Sequence, residues 1–357
     1  MGYFYAHLFS AEPEISAMFP ADMHTQRQRL YAALRQIAAM PPEMVSGTAD
    51  DDDGLTAYLS ALGRAHRKFG VRKDHYPAVR SALRVTADRF TPPGKDAGNQ
   101  DWEAAVDRAA EIMIAAAEED AAHAPAWWTA EVTGHQLRTP QVAVLTVQPS
   151  EPFPYLAGQH LSVQTPRWPR LWRNYSIANA PRPDGSLTLH VRAIAGGLVS
   201  TTLVHHLRTG DILLLGRAEG QMTADTESQR PVLCLAGGTG LAPLKAIAEA
   251  VTGTRQRRDI VLYHGARTES ELYDLPALRQ MELDFPWLQV IPATSQERAG
   301  GTRHGAIPLL AAHADWKDRE VYVSGPDQMI VETVAALRAL GVPAGLLHYD
   351  LPDEPLP

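Results

Sequence analysis

Arg173-Asn174-Tyr175-Ser176-Ile177, near the middle of the chain, is the stretch on which the reading of this sequence turns. Strand alternation places Arg173 and Tyr175 on one face and leaves the Ser176 hydroxyl and the backbone free to bond elsewhere. A guanidinium can meet a pyrophosphate and a phenol ring can pack on a flat ring system. The strand therefore suits a phosphorylated, redox-active aromatic ligand. Arg-x-Tyr-Ser also occurs in many ordinary edge strands, so its meaning comes from the flanks. Short β-like runs lie on both sides, at 141–147, 161–164, 187–194 and 212–215, punctuated by Pro and Gly. That texture predicts a small antiparallel barrel.

From Pro231 the pattern becomes strand then helix, repeated. Strands are expected at 232–236, 260–263, 288–291 and 321–324, with helical stretches at 243–251 and 328–340. This alternation predicts a parallel, doubly wound sheet. In Leu235-Ala236-Gly237-Gly238-Thr239-Gly240-Leu241-Ala242-Pro243 a strand runs into glycines and then a helix. Glycines let a backbone approach a phosphate, and a helix N-terminus favours the anion. A tight turn without any ligand is the competing explanation. Two further elements weigh against it. Gly196-Gly197-Leu198-Val199-Ser200-Thr201 offers a second pyrophosphate cradle, and Ser324-Gly325-Pro326-Asp327-Gln328-Met329 ends a later strand at the same carboxyl edge as Gly237.

In order and spacing, these segments resemble the ferredoxin–NADP reductase superfamily over residues ~128–350. The resemblance implies FAD on the barrel, with Arg173, Tyr175, Ser176, Val199 and Ser200 around it. It implies NADH or NADPH at the α/β domain, near Gly237, Gly238, Thr239, Gly240, Arg267 and Gly325. His160 stands where that family often has a flavin-contacting aromatic, against the plainer reading of a surface His. Ser324 stands where many members have Cys. For a ribose 2′-phosphate, Arg255, Arg257, Arg258 and Arg267 are all candidates. No acidic ribose ligand is obvious, and the choice of NADH or NADPH stays open.

The bulk composition narrows the field. The chain has 357 residues, 45% hydrophobic and 21% charged, which fits a globular protein of two or three domains. A net charge of -8 argues against a nucleic-acid partner. The single cysteine, Cys234, excludes a disulfide framework and a cysteine-rich metal site. No apolar run is long enough for a membrane span, and the start lacks the features of a secretory signal. The expected location is the cytoplasm.

Residues 1 to about 122 read as helices throughout. Leu55, Leu59, Leu62 and Phe69 form an apolar stripe that also contains His66, and Trp102, Ala105, Val106, Ala109, Ile112, Met113 and Ala116 form another. A His on such a stripe is more often a core residue than a ligand. Asp50-Asp51-Asp52-Asp53 reads as a solvated loop tip, and Thr91-Pro92-Pro93-Gly94 as a helix stop.

Tyr5-Ala6-His7-Leu8-Phe9, Pro13-Glu14, Met18-Phe19 and Gln26-Arg27 resemble the distal half of a flavohaemoglobin globin domain, and Ala65-His66-Arg67-Lys68-Phe69 with Tyr76 resembles its proximal half. The resemblance implies haem b with His66 on the iron, Tyr5 and Gln26 as distal polar groups, and Phe19 packed on the haem. Tyr76 and Glu119 would be the proximal hydrogen-bonding partners, with Glu118 and Asp120 competing for the acidic role. Tyr5 follows Met1 by four residues, so the family's first helix and most of its second are expected to be absent. Asp350 would keep an acidic role near the flavin, whereas Leu351-Pro352-Asp353 replaces the family's usual aromatic and Gly-Pro.

The expectation is thus a multidomain chain: an all-α globin domain (1–125), an antiparallel β-barrel FAD domain (126–228) and an α/β parallel-sheet nucleotide domain (229–357). The implied activity is a nitric oxide dioxygenase acting on NO, O2 and NAD(P)H. The alternatives are a flavin-dependent NAD(P)H oxidoreductase with a degenerate globin, and a haem-based O2/NO sensor. Oligomeric state is not legible.

Overall fold

A computed structural model describes residues 1–20, 22–45, 54–90, 100–296, 300–312 and 316–350. The Asp50–Asp53 run, the Thr91-Pro92-Pro93-Gly94 helix stop and the Leu351-Pro352-Asp353 tail lie outside the described residues. The chain divides into two compact units, Met1–Trp127 and Trp128–Pro357.

The described part of the first unit is helical: α1 (Gly2–Ala11), α2 (Pro13–Ser16), α3 (His24–Ala38), α4 (Pro42–Val45), α5 (Gly54–His66), α6 (Tyr76–Phe90) and α7 (Gln100–His123). Buried Ala105, Ala109, Ile112, Met113 and Ala116 recur every three or four residues along α7. All but Ala116 pack with Ile37, Met40, Met44 and Leu59 from α3, α4, α5 and the turn after α3. Gly63 lets α5 approach α7 closely, because a Cβ there would overlap the Met113 carbonyl. A second cluster joins Phe4, Tyr5 and Leu8 of α1 to Ile15, Ala82 and Leu83.

The second unit begins with an antiparallel sheet: β1 (Trp128–Thr139), β2 (Val142–Pro149), β3 (His160–Gln164), β4 (Arg173–Ser176), β5 (Leu187–Arg192) and β6 (Ile212–Glu219), with α8 (Leu198–His205) after β5. The order is β4-β3-β6-β1-β2-β5, and a bridge between Ile177 and Leu189 joins the two edges and closes the barrel. Ile177, last residue of the deciding stretch, is fully buried at that seam. The sequence pattern misses β1. Only its first residues alternate cleanly, and from Gly134 onward the strand is largely exposed.

The rest is a parallel sheet of β7 (Val232–Gly237), β8 (Ile260–Ala266), β9 (Leu288–Thr294), β10 (Arg303–His304), β11 (Glu320–Ser324) and β12 (Leu347–Tyr349), ordered β10-β9-β8-β7-β11-β12. Helices α9 (Leu241–Thr252), α10 (Leu275–Asp284), α11 (Ile307–Ala311) and α12 (Asp327–Ala339) cover it. Val232, Cys234 and Ala236 of β7 belong to one core cluster, Leu233 and Leu235 to another. Burial on both faces explains the unbroken apolar run of this central strand. The short edge strands β10 and β12 carry too few residues for a pattern to register. Among the described residues, no helix is long and apolar enough to cross a membrane.

Candidate functional site

In the helical unit, α1 carries Tyr5 into the core, where its hydroxyl donates to the Gln26 backbone carbonyl at 3.3 Å. Its ring meets Phe19 edge-on at 5.5 Å and Phe9 at 5.7 Å. Burial pushes the Tyr5 hydroxyl up to about 12, against the opposing charge of Arg27, so it remains a donor. The Gln26 side-chain oxygen Oε1 is buried and has no hydrogen-bond partner among the described residues. Three sequence-derived candidates, Tyr5, Phe19 and Gln26, are therefore brought together, and one of them is a polar atom still lacking a partner.

His66 ends α5 and is half-buried. Burial first, then the charge of Lys68, pulls its imidazole down to about 4, which leaves a nitrogen lone pair available. Tyr76 opens α6, and burial pushes its hydroxyl up to about 12. The next residue after His66, Arg67, donates to the Asp120 carboxylate and to the Ala124 carbonyl at 2.8 Å. Glu119 stays apart from this pair. It is exposed, and no hydrogen bond joins its carboxylate to His66 or Tyr76 among the described residues. The cause is helical phase: the buried α7 stripe through Met113 and Ala116 continues to Asp120, one residue or about 100° away from Glu119. Glu118 instead pairs with Lys73 at the surface.

On the barrel, β4 is the strand at which the sheet closes, with Arg173 exposed and Tyr175 and Ser176 half-buried. Burial pushes the Tyr175 hydroxyl well above its ordinary value, while the Arg173 charge opposes this. His160 pairs across from Ser176 on one side and from Glu219 on the other. A Cβ on Gly220, which holds a positive φ of 109°, would lie 3.1 Å from His160 Nδ1 and 3.4 Å from Asp350 Oδ2. His160, Ser176 and Asp350 thus converge. Desolvation raises the Asp350 carboxyl, opposed by His160 and by the Met222 backbone.

Val199 and Ser200 lie buried in the first turn of α8, whose first helical bond runs from Thr201 N to Gly197 O at 3.0 Å. The N–H groups of 198–200 thus have no helical acceptor and are free for an anion. The Ser200 hydroxyl is already used, donating to Gly197 O at 3.3 Å.

At the carboxyl edge of the parallel sheet, the glycines divide their work. A Cβ on Gly237 would overlap the Met329 sulfur, and one on Gly240 would lie 2.5 Å from Gly325 N. Gly237, Gly240 and Gly325 let the ends of β7 and β11 pack together. Gly238 is the open one, with φ of +54° and nothing nearer to a Cβ than Arg192 Nη2 at 3.5 Å. Thr239 is half-buried beside it. Of the four arginine candidates, only Arg267 stands at this edge. Arg255, Arg257 and Arg258 precede β8 and lie at its amino end. Arg257 stacks on Trp287, and Arg258 is buried, donating to the carbonyls of Arg230 at 2.6 Å and Asp225 at 2.5 Å.

Sequence reasoning missed a buried polar cluster beside this turn. Lys245 Nζ donates to Asp274 Oδ2 at 2.7 Å, His190 Nδ1 meets the Tyr273 hydroxyl at 2.8 Å, and the Tyr273 ring stands edge-on to both His190 and His264. Its members come from β5, β8, α9 and the approach to α10, so no spacing in the sequence could announce it. Glu271 was missed as well. It forms an ion pair with Arg267, and the i,i+4 pairing of opposite charges was the available signal.

These residues fit the groups that the sequence implies. The orphaned Gln26 oxygen and a neutral His66 imidazole suit haem. The α8 cradle with β4 suits FAD, and the open Gly238 turn suits the pyrophosphate of a nicotinamide dinucleotide.

Comparison with known proteins agrees. Residues 2–113 match the globin family, 131–223 the oxidoreductase FAD-binding domain and 234–335 the oxidoreductase NAD-binding domain. The chain is 32% identical over 214 residues to the electron transfer component of a Pseudomonas putida xylene/toluene monooxygenase, covering 58% of this chain and 61% of that one. It thus spans less than two thirds of that relative. Against the flavohemoprotein of Bordetella pertussis it is 27% identical over 379 residues, covering 98% of this chain and 92% of the relative. The flavohemoglobin of Malassezia yamatoensis, solved with FAD and heme, shares the fold with a TM-score of 0.77 at 18% identity, covering 98% of this chain and 92% of that one. The chain thus joins a globin domain to oxidoreductase FAD- and NAD-binding domains, the arrangement of the flavohemoproteins it resembles over 98% of its length, and these domains call for haem, FAD and a nicotinamide dinucleotide.

Proposed function

We propose that this flavohaemoglobin is a nitric oxide dioxygenase. The observation that carries the reading is the Tyr5 hydroxyl beside the orphaned Gln26 carboxamide oxygen, within the same unit as a neutral, half-buried His66. Bound there, the cofactors would supply electron transfer from NAD(P)H through FAD to haem iron, where NO and O2 are converted to nitrate. His66 would hold the iron, and Phe19 would pack on the macrocycle. Arg67 ties the end of α5 to Asp120 of α7, and Glu119, which the resemblance implies as a proximal partner, would reach His66 only after a rearrangement. Tyr76 would complete the proximal polar side. Tyr5 and the Gln26 carboxamide would be the polar groups facing bound O2, once the Tyr5 hydroxyl turns from the Gln26 backbone carbonyl.

In the reductase unit Tyr175 and Arg173 would take the flavin ring and its phosphates, and the N–H groups of Val199 and Ser200 the pyrophosphate. His160 and Asp350 would flank the ring beside Ser176. Gly238 and Thr239 would receive the nicotinamide nucleotide, with Gly237, Gly240 and Gly325 shaping the turn and Arg267 at the ribose.

The test uses the full chain supplied with haem and FAD. The expected result is a Soret band and NADH-dependent NO consumption with nitrate formed. His66→Ala should lose both while retaining NADH-driven ferricyanide reduction. Flavin absorbance without a Soret band after haem supplementation would leave a flavin-dependent NAD(P)H oxidoreductase and reject the dioxygenase.

A further inference from the structure

We propose that Glu271 selects NADH over NADPH, by clamping Arg267 and itself accepting the adenosine ribose hydroxyl. This deepens, and rests on, the reading of the Gly238 turn as the nicotinamide-nucleotide site. β8 lies beside β7 in the parallel sheet, with Gly237 paired to Gly265, so Arg267 leaves the sheet at the same edge as the turn. In dinucleotide-binding sheets an acid near this point accepts a hydrogen bond from the ribose 2′-hydroxyl, whereas an arginine pairs with a 2′-phosphate. Both residue types are present here, and the geometry decides between them.

Arg267 Nε donates to both Glu271 oxygens, at 3.1 and 3.2 Å, and Nη2 closes the fork. The Arg267 backbone N–H adds a bond to Glu271 Oε2 at 3.1 Å, so the carboxylate is fixed to the strand end as well as to the guanidinium. Glu271 also feels the charge of Arg192, whose guanidinium borders Gly238, which places the carboxylate within electrostatic range of the turn.

The segment Arg267-Thr268-Glu269-Ser270-Glu271 carries one positive charge against two negative. A 2′-phosphate brings roughly 1.5 to 2 further negative charges. To bind it, Arg267 would have to release Glu271, leaving an unpaired carboxylate beside the phosphate. A 2′-hydroxyl needs no such change. The Arg267 Nε–H is shared between the two Glu271 oxygens, so a 2′-hydroxyl can take over one of its two contacts while Nη2 and the backbone N–H keep the clamp.

Isothermal titration calorimetry of the FAD-loaded full chain with 5′-AMP and 2′,5′-ADP tests this without turnover. The wild-type chain should bind 5′-AMP about tenfold more tightly or better, and Glu271→Gln should tighten 2′,5′-ADP by about tenfold while weakening 5′-AMP. The NADH-to-NADPH ratio in ferricyanide reduction should fall in the same variant. Tighter binding of 2′,5′-ADP by the wild-type chain overturns the proposal. So does an unchanged preference in a Glu271→Gln protein that keeps its flavin spectrum. If the wild-type chain binds neither nucleotide, the reading of the turn itself falls, and the selectivity falls with it.

Discussion

A phenol buried beside an unpartnered carboxamide oxygen has few purely structural explanations. Tyr5 could pack as Phe does, since Phe4, Phe9 and Phe19 already surround it. Its hydroxyl instead reaches the Gln26 backbone, next to an Oε1 that lacks a partner. A buried acceptor left unpaired costs about 1 to 3 kcal/mol, which a polar ligand at the proposed site would offset. Tyr5→Phe preserves the ring and removes the donor. NO consumption should fall by about tenfold or more, while ferricyanide reduction by NADH stays unchanged. Equal NO consumption in the two proteins would remove Tyr5 from the mechanism. The residue types here are legible in the sequence. The acid is not, because Glu118, Glu119 and Asp120 are neighbours and only the phase of α7 distinguishes them. Asp120 falls on the buried stripe and takes Arg67.

At the scale of elements, the crossing of α5 over α7 sets where His66 emerges. Gly63 stands three residues before it, with the Met113 backbone where a side chain would be. Gly63→Val must push the helices apart, and overpacking of this kind costs about 1 to 3 kcal/mol. Haem retention and the melting temperature of the helical unit should fall together, with the reductase activity preserved. A variant that melts as the wild-type chain does would show that the crossing has slack. The glycines of the β7 turn teach the same lesson. The run Gly237-Gly238-Thr239-Gly240 reads as one phosphate loop, yet two of its three glycines serve the packing of β7 against β11. Gly238 alone faces outward, under Arg192 from β5.

For the whole molecule, the cluster around Asp274 couples both sheets of the reductase unit. His264 is fully buried, and burial first holds its imidazole down at about 4 against an ordinary 6.5, with Arg192 in the same direction and Asp274 and the Gly238 backbone opposing. His190 is lowered in the same sense, by burial and by Lys245, His264 and Arg138. Above pH 6.5 neither the folded nor the unfolded chain protonates His264, and it contributes no pH dependence. Between pH 6.5 and about 4 the unfolded chain takes up a proton that the folded chain excludes. Stability therefore falls as pH falls through that window, by roughly 3 kcal/mol from His264 alone. The urea midpoint of the FAD-loaded chain, followed by flavin fluorescence, should drop from pH 6.5 to 4 and drop less in His264→Gln. Identical pH profiles for the two proteins would exclude this account.

What the sequence determined by itself is what local physics writes into consecutive residues. Helical stripes, the unbroken apolar β7 run and the strand-to-glycine-to-helix turns each reflect one element burying one or both faces. They gave the architecture and the glycine turn at Gly238, whereas haem, FAD and the candidates Tyr5, Gln26 and His66 came from the resemblance to a known family. Only the tertiary structure decided the closure of the barrel through Ile177 and Leu189, the pairing of Arg67 with Asp120, the pairing of Arg267 with Glu271, and the His190–Tyr273–Asp274 cluster. Each of these depends on the phase of a helix or on residues far apart in the chain, so the order of residues alone could not reveal them.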